Sequence, residues 1–121
     1  MQERFTTSTR FYVAEDKNRI VGVLRAVGNR IVNLFVAGSH HGKGIGKRLL
    51  YRYEKACKRD GYQEVVLRSQ LYAVPFYLAC GYNKITGMRT KFGLTTQPMK
   101  KLIATQIPYA SGRDRFRSDT K

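Results

Sequence analysis

One stretch limits what this chain can become: Phe35-Val36-Ala37-Gly38-Ser39-His40-His41-Gly42-Lys43-Gly44-Ile45-Gly46-Lys47. An apolar run ends at Val36, a turn crowded with glycine and basic residues follows, and an amphipathic pattern begins at Ile45. A strand, a glycine-rich turn and a helix N-terminus, in that order, build an anion site. Successive backbone N–H groups point outward, the helix dipole adds partial positive charge, and glycine lets the anion approach the backbone. The spacing excludes two common phosphate loops. Gly38 is followed by three residues before Gly42-Lys43-Gly44, whereas the Walker loop needs four and then a Ser or Thr. Gly42, Gly44 and Gly46 alternate, whereas the dinucleotide fingerprint reads G-x-G-x-x-G.

The helix after the turn is strongly marked. Ile45, Leu49, Leu50, Tyr53, Ala56 and Cys57 share one face, while Lys47, Arg48, Arg52, Lys55, Lys58 and Arg59 cover the other. Asp60-Gly61 ends it with a C-cap glycine. Before the turn, residues 11–15, 19–27 and 30–37 read as three strands of an antiparallel meander, separated by Asp16-Lys17-Asn18 and Gly28-Asn29. The third is apolar at nearly every position, which predicts burial on both faces. Residues 64–69 form a fourth strand, and the intervening helix implies a right-handed crossover to a parallel pair. A second helix is predicted over residues 70–80, stopped by Gly81; Pro75 puts its regular part near Val74. Residues 82–90 and 94–104 read as a closing hairpin turning at Lys91-Phe92-Gly93, and Pro98 predicts an edge or a bulge. Residues 1–10 are polar and carry no pattern. The chain therefore reads as one domain over 1–104 and a mobile basic tail over 105–121, with Arg113-Asp114-Arg115-Phe116-Arg117 near its end.

Charge is the outlying quantity. Lys and Arg number 23 against 8 acids, a net +15, which favours polyanions: nucleic acid, acidic protein or a highly phosphorylated small molecule. No apolar run approaches the roughly 18 residues a membrane helix needs, and no leader pattern opens the chain. Cys57 and Cys80 have no metal-site spacing and are too few for a disulfide framework. A cytoplasmic protein without membrane partners is the expectation.

The run His41-Gly42-Lys43-Gly44-Ile45-Gly46 resembles the Q/R-x-x-G-x-G/A motif of the GNAT N-acetyltransferase superfamily, with His41 where the family has Gln or Arg. Further on, Ala73-Val74-Pro75-Phe76-Tyr77-Leu78-Ala79-Cys80-Gly81-Tyr82 resembles that family's A-x-x-F-Y-x-x-x-G-F segment. The resemblance covers residues 11–102. It implies an α/β (α+β) fold with a mixed, mostly antiparallel sheet and helices after the third and fourth strands. The sheet would splay between the third strand and the strand at 64–69. It also implies acetyl-coenzyme A as co-substrate, no metal, and transfer of an acetyl group to a primary amine by direct attack.

On that resemblance, backbone groups near Leu34, Phe35 and Val36 would bond the pantetheine amides. Amides from Gly42, Lys43, Gly44, Ile45, Gly46 and Lys47 would hold the pyrophosphate, with His41 beside it. Gln70 would touch the pantetheine, and the Tyr77 hydroxyl would protonate the departing thiolate. A free N–H beside Val36 would hold the oxyanion. No general base is evident: Asn33 stands where some relatives place a carboxylate, and Glu15 is the only nearby acid to nominate, with proton loss to water as the other route. The family usually has a strand and two helices ahead of the strand at residue 11, where this chain has residues 1–10. That predicts either an acceptor site open to a bulky amine or one completed by a second subunit in a homodimer. The rival reading is a non-catalytic basic domain of this type that binds coenzyme A or nucleic acid. Phe76, Cys57 and Cys80 read as packing residues, and His40 as an exposed loop residue.

Overall fold

The computed structural model describes residues 2–5 and 9–104; the tail expected over 105–121 lies outside the described residues. Tight turns start the sheet. Lys17 and Asn18 hold φ of 52° and 66°, the twist that two-residue hairpins need. Strands β1 (Gln2–Phe5), β2 (Thr9–Asp16), β3 (Arg19–Val27) and β4 (Arg30–Val36) follow one another as antiparallel neighbours. Helix α1 (Ile45–Arg59) then crosses to β5 (Glu64–Gln70), which lies parallel to β4. After helix α2 (Val74–Ala79) come β6 (Asn83–Lys84), β7 (Arg89–Lys91) and β8 (Leu94–Leu102). The sheet order is β1-β2-β3-β4-β5-β8-β6, with β7 also on β8. This is the mixed, mostly antiparallel sheet that the sequence led us to expect, with helices after β4 and β5.

The apolar face of α1 is buried as its periodicity requires: Ile45, Leu49, Leu50, Tyr53, Ala56 and Cys57 all lie inside. They pack on Tyr12, Leu24, Val65 and Met99, which are all fully buried. Burying such a face contributes about 25 cal/mol per Å² of apolar surface. Gly22 lets α1 come close, since a Cβ there would stand 3.0 Å from Ile45 Cγ2 and 3.1 Å from Leu49 Cδ1. Polar ties fix the helix at both flanks. The Tyr53 hydroxyl donates to the Gly28 carbonyl at 2.8 Å. Glu54 accepts from the Tyr82 hydroxyl at 2.7 Å and from Lys101 Nζ at 3.0 Å. No described helix is long and apolar enough to cross a membrane.

Several expectations are corrected. Residues 2–5 are a strand that extends the meander, although their sequence shows no alternation. β4 is not buried on both faces: Ile31 is inside, but Asn33 and Phe35 are exposed, because α1 covers one side of the strand only. Gln70 completes β5, a 3-10 turn follows at Leu71–Ala73, and the regular helix begins at Val74. The strand expected over 82–90 breaks into β6 and β7. Pro98 is not on an edge. It pairs with Arg68 of β5, and its own carbonyl accepts from the Ile85 amide at 3.2 Å. Its missing N–H falls on that same side, in the gap between β6 and β7, where no ladder bond is lost.

Candidate functional site

The site is a failure of pairing in the middle of the sheet. β4 and β5 are in register only at Arg30↔Val66 and Ile31↔Leu67. Beyond Ile31 the strands part. The Ala37 amide returns to the Val21 carbonyl at 2.8 Å, so alternation turns the backbone groups of Leu34 and Val36 the other way, into the split. A cleft of about 490 Å³ opens there, lined by Ile31 to Leu34, Leu67 to Gln70, Tyr72, Ala73 and Tyr77, and by Lys91, Phe92, Leu94 and Thr96 from the β7–β8 hairpin. A hollow of about 540 Å³ on the outer flank of α1, lined by Tyr51, Glu54 and Leu102 and by Lys55, Lys58 and Arg59 of the helix's basic face, holds none of the candidate catalytic or cofactor-binding residues.

The glycine turn lies at the end of β4. Gly42 and Gly44 take φ of +80° and +77°, and nothing stands within 4 Å of where a side chain would project. α1 has no side-chain cap and no acid in its first turn. Among the described residues, no hydrogen-bond acceptor serves the amides from Gly42 through Lys47. Lys43, Lys47 and Arg48 stand exposed beside them. Unpartnered amides at a helix N-terminus, open space and positive charge are what a phosphate ester needs. The turn and the cleft are contiguous: a Cβ on Gly46 would stand 3.0 Å from Phe76 Cζ and 3.7 Å from Val36 Cγ2. The start of α1, the end of β4 and the start of α2 thus meet.

Tyr77 lines the cleft from α2 and is only 7% exposed. Its ring stands edge-on to those of Phe76 and Tyr82, with centroids 5.2 and 5.6 Å away. Its hydroxyl has no partner among the described residues. Burial, reinforced by Cys80 and Tyr72, pushes the phenol up to about 12, so it stays protonated at neutral pH.

The structure brings Leu34, Gln70 and Tyr77 to the cleft and sets the glycine turn beside it. It treats the other candidates differently. Phe35 is 62% exposed and points away from the helices. His41 donates from Nε2 to the Val36 carbonyl at 2.7 Å, which ties the turn to β4. His40 is held between Ser39 and Asp16, at 2.8 Å from each. Glu15, exposed near the far end of β2, does not line the cleft. Asn33 does, with its Oδ1 accepting from Arg25 Nε at 3.2 Å. Burial raises both thiols, Cys57 and Cys80, so neither is a ready nucleophile. Among the described residues, no cluster of three or more His, Cys, Asp or Glu could hold a metal. Sequence reasoning missed Arg68, Tyr72, Lys91 and Phe92 as cleft residues. Strand alternation in β5 places Arg68 with Gln70, but the hairpin's approach depends on register that no local signal carries.

Residues 1–103 match the acetyltransferase (GNAT) domain family. N-acetyltransferase 8F1 of Rattus norvegicus is 35% identical over 92 residues, spanning 65% of this chain and 41% of that protein. Human N-acetyltransferase 8 is 31% identical over 87 residues, or 61% and 38% of the two chains. The chain thus spans about two fifths of the length of these curated relatives. Among solved structures, an aminoglycoside 6'-N-acetyltransferase complexed with coenzyme A superposes with a TM-score of 0.72 at 19% identity, covering 83% of this chain and 76% of that one. At that identity the likeness concerns the fold.

Proposed function

The chain belongs to the GNAT acetyltransferase family, and from that premise we propose that it transfers the acetyl group of acetyl-coenzyme A to a primary amine. The observation that carries the reading is the run of unpartnered amides from Gly42 to Lys47 opening beside a split sheet closed by Tyr77. The turn fits a pyrophosphate, and the backbone edge of Leu34 and Val36 fits the amides of a pantetheine arm. The co-substrate supplies a thioester, and its exchange with an amine gives an amide and a free thiol.

The chain's own groups divide the work. The helix N-terminus and Lys43, Lys47 and Arg48 hold the phosphates. The N–H of Val36, turned into the split, is placed to donate to the carbonyl oxygen as it becomes an oxyanion. The carbonyl of Val36, bonded to His41, is already occupied. Tyr77 donates its hydroxyl hydrogen to the leaving sulfur. Burial keeps this phenol protonated at neutral pH, and the phenolate left after donation takes a proton back from water, which receives the one the amine releases. Among the described residues no carboxylate or imidazole lines the cleft, so the amine's proton leaves through water rather than through Glu15.

Calorimetric titration with acetyl-coenzyme A, beside a thiol-release assay of wild type and Tyr77→Phe with a pool of amines, tests the reading. Micromolar binding by both proteins and a fall of about 100-fold or more in turnover for the variant are expected. Absence of binding would refute the cofactor assignment and favour a nucleic-acid role for the basic surface. Equal turnover would refute the role of Tyr77.

A further inference from the structure

Resting on the reading of the cleft as an acetyl-acceptor site, we propose that the acceptor is an amine that also carries an anionic group, gripped by Arg68 and Lys91 on the sheet face opposite α1. Val65, Leu67 and Ser69 of β5 are buried, and Arg68 and Gln70 point to the other side. Register extends that face: Gln70 lies opposite Thr96, Thr96 opposite Arg89, and Leu94 opposite Lys91. Paired residues share a face, so Arg68, Gln70, Arg89 and Lys91 all present to one side.

Of these, Arg68, Gln70 and Lys91 line the cleft, and among the described residues no acid does. Arg68 meets no carboxylate among the described residues, and the Lys91 ammonium rests 5.7 Å from the centroid of the Phe92 ring. Glu64, on the same face of β5, lies four residues towards the other end and is paired with Lys100 at 3.4 Å. The cleft is therefore a concave, positively charged surface, and such a surface attracts anions and repels a second positive charge on the acceptor.

Two further observations agree. Phe92 is 96% exposed and Tyr72 83% exposed, yet both line the cleft. Phe92 holds a φ of 53° because it opens the two-residue turn between Lys91 and Leu94, where the hairpin's twist asks for it, and the turn carries its ring out to the cleft. The pair offers an apolar wall to the acceptor's body. The cations also serve the chemistry. Positive neighbours disfavour an ammonium, so they help the amine reach its neutral, attacking form in a cleft that shows no base among the described residues.

Matched acceptors test this: L-phenylalanine against 2-phenylethylamine, and phosphoethanolamine against ethanolamine, the two pairs distinguishing carboxylate from phosphate. Wild type should favour the anionic member of at least one pair by about tenfold in kcat/KM, carried by KM and shrinking as salt rises. Arg68→Gln with Lys91→Gln should bring both members to one KM while acetyl-coenzyme A binds as before. Arg68→Glu with Lys91→Glu should turn the preference towards 1,4-diaminobutane. Equal KM values in wild type, or a preference that survives both variants, would overturn the proposal and leave the cofactor reading standing. If no amine in the panel turns over, N-acetyl-L-phenylalanine and N-acetyl-2-phenylethylamine are titrated with and without coenzyme A. Tighter binding of the acid supports the proposal, and equal binding overturns it.

Discussion

Gly22→Ala is the substitution that most directly couples the fold to the site. The new Cβ would stand 3.0 Å from Ile45 Cγ2, 3.1 Å from Leu49 Cδ1 and 3.5 Å from Ala14 Cβ. Carbon atoms prefer separations of about 3.5–4.0 Å, so α1 must withdraw by about half an ångström or two buried side chains must leave their rotamers. Overpacking of this kind costs about 1–3 kcal/mol. Replacing a mid-strand glycine returns about 0.5–1 kcal/mol. The net loss is about 0–2.5 kcal/mol, and its midpoint of about 1 kcal/mol is a fall in Tm of about 4–5 °C. Ile45 is also the first residue of α1, so its displacement moves the amides of the glycine turn away from the end of β4. Affinity for coenzyme A should drop about threefold to tenfold, or about 0.7–1.4 kcal/mol. Gly87→Ala is the control: nothing lies within 4 Å of the new methyl and φ is not positive, so a gain of about 0.4–1 kcal/mol is expected. Thermal unfolding followed by circular dichroism and calorimetric titration read both effects. A Gly22→Ala protein with unchanged Tm and unchanged affinity would refute the claim that this contact sets the position of α1.

Gly44→Ala puts a side chain at a φ of +77° with open space around it, so about 1–2 kcal/mol of strain falls on the turn itself; Tm should fall slightly and coenzyme A affinity markedly, and an unchanged titration would count against the turn as the phosphate site. Glu54→Ala leaves the Tyr82 hydroxyl and the Lys101 ammonium without their shared acceptor, a loss of about 2–3 kcal/mol in urea unfolding. Glu54→Gln should lose less, because it still accepts from Tyr82. Tyr77 is raised from 10.0 to about 12 by burial, and Tyr53 and Tyr82 are raised further. Each folded phenol holds its proton more tightly than the unfolded one, so stability is full below pH 10 and is lost as pH rises from 10 towards 12. Tyr77 alone contributes about 1.4 kcal/mol of that loss by pH 11. Urea midpoints that stay level between pH 9 and 11 would contradict it.

Local chemistry explains which parts of this structure could be read from the chain. The α1 pattern and the Asp60-Gly61 stop are written in residues that fold against one another, and the buried set is the one the periodicity names. The glycine turn was legible because positive φ and bare amides demand glycine in a fixed spacing. β1 was not, because Gln2–Phe5 gains its strand character from pairing with β2 rather than from alternation. β4 misled for the opposite reason. Ile31, Val32, Leu34, Phe35 and Val36 are apolar enough for a strand covered on both sides, yet Phe35 stands exposed where no described helix covers it. The hairpin residues Lys91 and Phe92 looked like a turn and nothing more. Only the register of β7 on β8 and of β8 on β5 carries them to the same face as Arg68.

The split itself follows from two local features acting together. Asn29 pins the strands at one end: its carbonyl accepts from the Val66 amide at 3.0 Å, and its Nδ2 donates to the Glu64 carbonyl at 2.9 Å. One residue past the last β4–β5 pair, the register with β3 jumps from Ala26↔Ile31 to Arg25↔Asn33, which leaves Val32 without a partner. An extra residue of this kind bends its strand and increases its twist. β4 therefore turns away from β5 where the bulge begins, and the backbone edge of Leu34 and Val36 loses its neighbour. An unpaired strand edge is a liability at the rim of a sheet, and inside one it is costlier still, because its donors and acceptors face a half-enclosed space. Such an edge is stable when another backbone-like ligand supplies the missing ladder. A pantetheine arm, with its own amides in sequence, is a ligand of that kind. The bulge at Val32 and the clamp at Asn29 are thus as much part of the proposed site as Tyr77, although neither residue takes part in the reaction.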